Sequence, residues 1–276
     1  MNEPPPPATT NPRSLLLAML QAFSCDVPVQ ILIRAASLFD IDENRTRVAL
    51  HRLRSKGLVV SEERGTYHIA GAQVCNAQTA SWQRVLDRLQ PWEGTWIGVY
   101  TAHLPRADKT IARRRDRATH LVGLRELQPT LLVRPENLAG GIEEVRGRLH
   151  SLGLEPDAPI FSLSHLGPHE PIARGLWDQM ALDERYRRHI DRLTRLTLSV
   201  RSLHPEEAAR QAFVAGGEAV RDILFDPLLP APLVDPATRE AFVETMIAFD
   251  QVGRSLWSDV LDTDLPLQTI PTVEPR

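Results

Sequence analysis

The sequence predicts an α+β, mostly α protein built in three parts. Three observations lead there. Helical periodicity and a glycine-turn hairpin follow one another within residues 13–79. Short β-rich runs alternate with helical ones over residues 80–168. Helical spacing then dominates residues 169–262. Residues 1–12 and 263–276 read as flexible tails, because the run Pro4–Pro7 lacks backbone donors and the far end is rich in Pro, Thr and Asp.

In the first part, Ser14–Phe23 is a helix with Leu15, Leu16, Met19, Leu20 and Phe23 as its core stripe. Pro28 suits the first position of a second helix, Pro28–Phe39. Asp42 can cap a third helix that runs to Lys56 and ends at Gly57. Leu58–Glu62 and Thr66–Ile69 then form two short strands joined by a turn at Gly65. Three helices followed by a hairpin is the order of a winged helix-turn-helix. On the third helix, Thr46, Ala49, Leu50 and Leu53 share an inward face. The opposite face collects Asn44, Arg47, Val48, His51 and Ser55, flanked by Arg45, Arg52 and Arg54. Arg can donate two hydrogen bonds to guanine, and Asn can pair with adenine, so this face suits a DNA major groove. Asn44, Arg47 and His51 are the base-reading candidates. Arg45, Arg52, Arg54 and, at the hairpin tip, Arg64 are the phosphate-contact candidates.

The second part reads Trp96–Ala102 as strand, Thr110–Gly123 as helix, Thr130–Val133 as strand, Ile142–Leu152 as helix and Ile160–Leu163 as strand. This alternation predicts a ferredoxin-like domain. Its first helix is expected to turn Ile111, Ala118, Leu121 and Val122 inward and Arg113, Arg114 and Arg117 outward. In the third part, helices are expected over Gly175–Ser199, from Pro205 toward Leu224, and over Asp235–Trp257. Gly216-Gly217 marks either a break or a close helix contact, and Asp226-Pro227-Leu228-Leu229-Pro230 must interrupt the helices. Leu176, Trp177, Phe249 and Trp257 are the candidates for a contact between subunits, with the second part as the alternative.

Composition bounds the function. Of 276 residues, 42% are hydrophobic and 24% charged, the balance of an ordinary folded protein. The longest apolar run, Leu15–Leu20, is far short of a membrane span. Met1–Asn11 carries no Lys or Arg, unlike the start of a secretory signal, and Cys25 and Cys75 are the only cysteines. The expected compartment is a reducing cytoplasm. Net charge is −3, so attraction to nucleic acid has to come from local patches. Five cations and no acid fall between Asn44 and Lys56, and seven cations against Asp108 and Asp116 fall between Pro105 and Arg125. No phosphate-loop, dinucleotide or nucleophile-elbow motif is present, so no catalytic residue is assigned. His165 and His169 have a metal-pair spacing, but Gly167 and Pro168 between them spoil the helix such a pair needs, and no metal ligand is assigned.

Several stretches together resemble a known family. They are Arg45-Thr46-Arg47-Val48-Ala49-Leu50-His51-Arg52-Leu53, Lys56-Gly57-Leu58, Trp92-Glu93-Gly94-Thr95-Trp96, Leu131-Leu132-Val133-Arg134-Pro135 and Asp226-Pro227-Leu228-Leu229-Pro230. Their order and spacing resemble the PaaX-type repressors of phenylacetate catabolism from about Arg13 to Leu261. The resemblance implies a winged-helix DNA-binding domain (13–79), a central ferredoxin-like domain (80–168) similar in fold to a CRISPR-associated endonuclease, and a helical C-terminal domain (169–262). It also implies a homodimer on double-stranded operator DNA, an aryl-coenzyme A thioester as small-molecule effector and no resident cofactor. Arg113, Arg114 and Arg117, with Arg115 beside them and Trp92 and Trp96 as apolar neighbours, are the candidate effector site. Two other classes compete: a nucleic-acid-processing enzyme using the central domain, and a protein-interaction scaffold.

Overall fold

The computed structural model describes residues 11–23, 26–61, 65–70 and 82–262. The described helices are α1 (Pro12–Phe23), α2 (Val29–Ser37), α3 (Glu43–Ser55), α4 (Lys109–Leu121), α5 (Gly141–Leu152), the short α6 (Glu170–Arg174), α7 (Gln179–Ser199), α8 (Pro205–Leu224) and α9 (Pro236–Leu261). The described strands are β1 (Val27–Pro28), β2 (Val59–Val60), β3 (Thr66–Ile69), β4 (Trp96–Tyr100), β5 (Arg125–Gln128), β6 (Leu131–Pro135) and β7 (Ile160–Leu163). They form a mixed α+β chain, mostly helical, with two small antiparallel sheets. By packing, the chain divides into two compact units, one of Met1–Trp82, Leu193–Glu218 and Ile247–Arg276, the other of Gln83–Arg192 and Ala219–Met246.

The first unit holds α1, α2, α3 and a three-stranded sheet in the order β1-β3-β2. Its core gathers Leu16 and Met19 of α1, Leu32 of α2, Leu50 and Leu53 of α3, and Val59 and Ile69 of the sheet. Ala209, Trp257, Val260 and Leu261 belong to the same core. A row of aromatic rings ties these parts together: Phe39 meets Phe213 edge-on at 5.7 Å, and Phe213 meets Trp257 at 5.7 Å. Helix α8 runs unbroken through Gly216-Gly217. A Cβ at Gly216 would stand 3.6 Å from the Phe249 ring, and one at Gly253 would stand 4.0 Å from Ala212 Cβ. Gly216 therefore lies in ordinary contact with Phe249, a Cβ at Gly217 would meet nothing within 4 Å, and the pair does not break the helix.

The second unit carries the order β4-α4-β5-β6-α5-β7, with a four-stranded antiparallel sheet ordered β5-β6-β4-β7. Strand β5 was not expected, since Arg-Glu-Leu-Gln has few β-forming residues. Its alternating half-buried and exposed positions are the weak trace it leaves. Gly98 sits at the centre of β4, opposite Phe161, and a Cβ there would come within 2.8 Å of both Phe161 and Leu163. Helix α4 differs from expectation on its inner face. Arg115, Ala118 and Thr119 are buried, whereas Ile111 is 41% exposed. Arg115 is an interior ion-pair partner, not part of a basic surface: it donates to both Glu155 oxygens and to the Pro105 carbonyl.

The subunit-contact candidates also need correcting. Trp177, Phe249 and Trp257 are buried in this chain's own interior and Leu176 is half-buried. In the second unit, Trp177 lies in a cluster of rings. Trp96 stacks on it at 6.2 Å, Trp92 meets Trp96 edge-on at 5.1 Å, and the Arg174 guanidinium lies over Trp92 at 4.9 Å. The Trp96 indole donates to Glu170 Oε2 at 3.1 Å.

Residues 226–229 have no regular secondary structure and are nevertheless buried. A buried backbone must find hydrogen-bond partners. Here side chains supply them. Arg134 donates to the Pro227 carbonyl at 3.4 Å, Asn137 to Leu228 O at 2.6 Å and Arg239 to Leu229 O at 2.6 Å. The Asp226 carboxylate accepts from the Leu228 amide at 2.8 Å, from the Tyr186 hydroxyl at 2.6 Å and from Arg185 at 3.1 Å. Burial and the adjoining Asp226 push the Tyr186 hydroxyl well above its ordinary pKa. Arg134 also donates to Val122 O, Pro135 O and Asn137 Oδ1. Burial, with Arg88 nearby, lowers its pKa to about 9, which leaves it charged at neutral pH.

Two stability predictions follow from these bonds. Asn137→Ala leaves the Leu228 carbonyl unpaired in the interior and should cost about 1–3 kcal/mol, measured by urea unfolding. The Arg115 hydrogen bond holds the Glu155 carboxyl below its ordinary value of 4.5. That stabilisation is present above about pH 4.5 and is lost as pH falls through the lower, folded-state value. In Glu155→Gln this acid-side loss should be absent from urea midpoints measured across that range.

Candidate nucleic-acid interface

Helix α3 of the first unit begins where Asp40 takes a left-handed conformation (φ 58°), which a short polar side chain tolerates. Asp42 then caps the helix, its Oδ1 accepting from the Arg45 amide at 2.8 Å. Thr46 is buried, and its hydroxyl donates to the Asp42 carbonyl at 2.9 Å. At the other end Gly57 adopts φ 66°, with Gly57 N bonded to Arg54 O at 2.9 Å and Leu58 N to Leu53 O at 3.1 Å. This paired closure stops the helix and sends the chain directly into β2.

Between these caps the helix has two sides. Thr46, Ala49, Leu50 and Leu53 are buried against the unit's core. Asn44, Arg45, Arg47, Val48, His51, Arg52, Arg54 and Ser55 are all exposed. By the helical repeat, Asn44, Val48, His51 and Ser55 form the middle of the outer face. Arg45 and Arg52 lie along one edge, Arg47 and Arg54 along the other. Arg47 is engaged within its own helix: its Nη2 lies 2.7 Å from Glu43 Oε1, and both side chains are about half exposed. An exposed pair of this kind is worth about 0–1 kcal/mol, so it yields readily to a stronger partner. Arg45 donates weakly to the Asp40 carbonyl at 3.4 Å. The sequence reading missed Glu43, which sits one residue before the acid-free run. Arg64 lies outside the described residues.

The second candidate patch is on α4. Arg113, Arg114 and Arg117 are exposed. Arg114 is also engaged in packing, since its stem lies where a Cβ of Gly153, the left-handed residue ending α5, would stand. Arg113 and Arg117, one turn apart, carry the exposed charge. His120, one turn further, has its pKa lowered by burial and by Arg125. Residues His165 and His169 are separated by a turn of 3₁₀ helix, Gly167–His169. Among the described residues there is no cluster of three or more metal-ligating side chains.

The cap makes one local prediction. Asp42→Ala should cost about 1 kcal/mol and speed amide exchange at Arg45, read by hydrogen–deuterium exchange.

Residues 12–72 match the family described as PaaX-like protein, and residues 177–259 match the PaaX-like protein C-terminal domain. Among solved structures, the chain is similar to the uncharacterized protein Rv0674 from Mycobacterium tuberculosis. The TM-score is 0.61 at 22% identity, over 92% of this chain and 99% of that one, a likeness of fold. No curated protein matches. Matched toward both ends by the two parts of one family, the chain belongs to the PaaX-like proteins, which are in general transcriptional regulators of phenylacetic acid catabolism.

Proposed function

We propose that this chain is a sequence-specific DNA-binding repressor of an aromatic-acid, phenylacetate-type catabolic operon, released from its operator by an aryl-coenzyme A thioester. The observation that carries the reading is the outer face of α3. It presents Asn44, Arg47 and His51 with Arg45, Val48, Arg52, Arg54 and Ser55 exposed beside them, on a helix whose other side is wholly buried. A helix fixed in this way can enter a major groove without rearranging. The three helices and the sheet β1-β3-β2 support reading residues 13–79 as a winged helix-turn-helix. The order β-α-β-β-α-β and the strand order β5-β6-β4-β7 support a ferredoxin-like centre over residues 80–168. The remainder, 169–262, is the helical C-terminal part.

The protein is proposed to act in the cytoplasm as a homodimer. A single reading helix covers too few base pairs to specify a genomic site, and two on an inverted repeat cover enough. Among the described residues, Met180 and Leu198 are the most exposed large apolar side chains of the C-terminal helices, at 83% and 78%. The effector carries several phosphate charges and needs cations. Arg113 and Arg117, with Arg114, are the proposed contacts. Linkage requires the thioester to bind the DNA-free form more tightly than the DNA-bound form.

The test is retardation of a duplex taken from upstream of the protein's own gene, with Mg²⁺ present. Retention of intact DNA is expected; cleavage would support a nuclease, and binding to no duplex would overturn the reading. Arg47→Ala should cost about 1–3 kcal/mol of operator binding and relax preference at one base pair. Arg54→Ala should weaken all sequences alike and flatten the salt slope by about 1. Replacing Arg113 and Arg117 with Ala should leave operator affinity intact and abolish release by the thioester.

A further inference from the structure

A groove opens along the Arg45–Arg52 edge of α3, beside the start of α1, lined by Asn11, Arg13, Arg45, Val48, Ala49 and Arg52. Its composition is divided. Val48 and Ala49 give it an apolar floor, and Arg13, Arg45 and Arg52 line it as well. Arg45 and Arg52 are seven residues apart on one helix, so their attachment points are separated by about 10 Å along its axis. Arg13 comes from a different element, the first turn of α1, where the Asn11 side chain accepts from its amide at 3.1 Å. Among the described residues none of the three arginines takes part in an ion pair. Three arginines lining one groove without an ion pair among the described residues raise the local potential and call for an anion.

We propose that this groove seats the sugar-phosphate backbone of one DNA strand, with Arg13 as a phosphate contact alongside Arg45 and Arg52. The inference rests on the reading of the chain as a DNA-binding protein and adds to it a residue outside the reading helix. The chemistry fits on both counts. Deoxyribose is apolar enough to lie on Val48 and Ala49, and its flanking phosphates accept from guanidinium donors. The N-terminal end of α1, a helix of 12 residues, adds positive potential at the same place. Because α1 is packed into the core through Leu15, Leu16, Met19 and Leu20, a phosphate held by Arg13 fixes the whole unit on the duplex. This is how Asn44, Val48 and His51 would be brought to a constant depth in the groove.

The full-length chain is titrated with its upstream duplex and with a scrambled duplex of equal length, at several salt concentrations. For Arg13→Ala, binding should weaken on both duplexes alike. The slope of log affinity against log salt should fall by about 0.9, so the loss of affinity between about 50 and 200 mM salt shrinks roughly 3-fold. Arg13→Lys should keep the slope. Ethylation interference should mark one phosphate that blocks the parent protein and no longer matters to Arg13→Ala. Unchanged thermal unfolding of the variant separates lost contact from lost fold. An unaltered slope and footprint in a folded Arg13→Ala protein overturns the proposal while leaving the DNA-binding reading intact. Failure of the parent to bind either duplex overturns both.

Discussion

The second unit is organised around a stretch of backbone that has to be buried and cannot join a helix or a sheet. Asp226-Pro227-Leu228-Leu229-Pro230 contains two residues without an amide donor and sits inside the protein. Its carbonyls are answered one after another by Arg134, Asn137 and Arg239, and its amide at Leu228 by Asp226. The same arginine holds the end of α4 through Val122 O and the end of β6 through Pro135 O. One guanidinium therefore joins sheet, helix and loop, and its charge is satisfied by carbonyl dipoles. Hydrophobic substitutes would fill the volume and leave several carbonyls without donors, which is the costlier arrangement.

The arrangement explains why two sequence stretches far apart belong together. In the sequence, Thr130–Val133 reads as a strand closed by Arg134-Pro135, and Asp226–Pro230 as a proline-rich interruption of the helices. In the fold they are one structure. Gly123 takes part too. A Cβ there would stand 3.0 Å from Pro227, and its carbonyl accepts from Trp177 at 3.2 Å. The ring cluster of Trp92, Trp96 and Trp177 thus lies one hydrogen bond away from the Arg134 network.

How much was legible in the sequence differed by element. Helix α3 could be read almost to the residue, because its caps, its terminating glycine and its 3.6-residue periodicity all agree. The faces of α4 were harder. Periodicity assigns arginine to water and isoleucine to the interior, but Glu155, far along the chain, makes burying Arg115 favourable and Ile111 is left outside. Strand β5 depends on pairing with β6, not on its own residues. Trp177, Phe249 and Trp257 seemed available for a partner only because the interior surfaces they cover are made by distant segments. Arg13 escaped notice because a single cation in a first helical turn has no pattern; the groove that gives it meaning exists only in three dimensions.

The aromatic row from Phe39 through Phe213 to Trp257 bears on how the protein is made. Trp257, Val260 and Leu261 complete the same core that backs α3. On the ribosome, α1, α2 and α3 emerge long before α9, the helix that finishes their interior. Contacts between segments so far apart in sequence close slowly, because the loop between them must be ordered before they form. Helix α3 is thus synthesised well before α9, and its supporting core can be completed only after α9 has been released, which couples its final packing to a segment far along the chain.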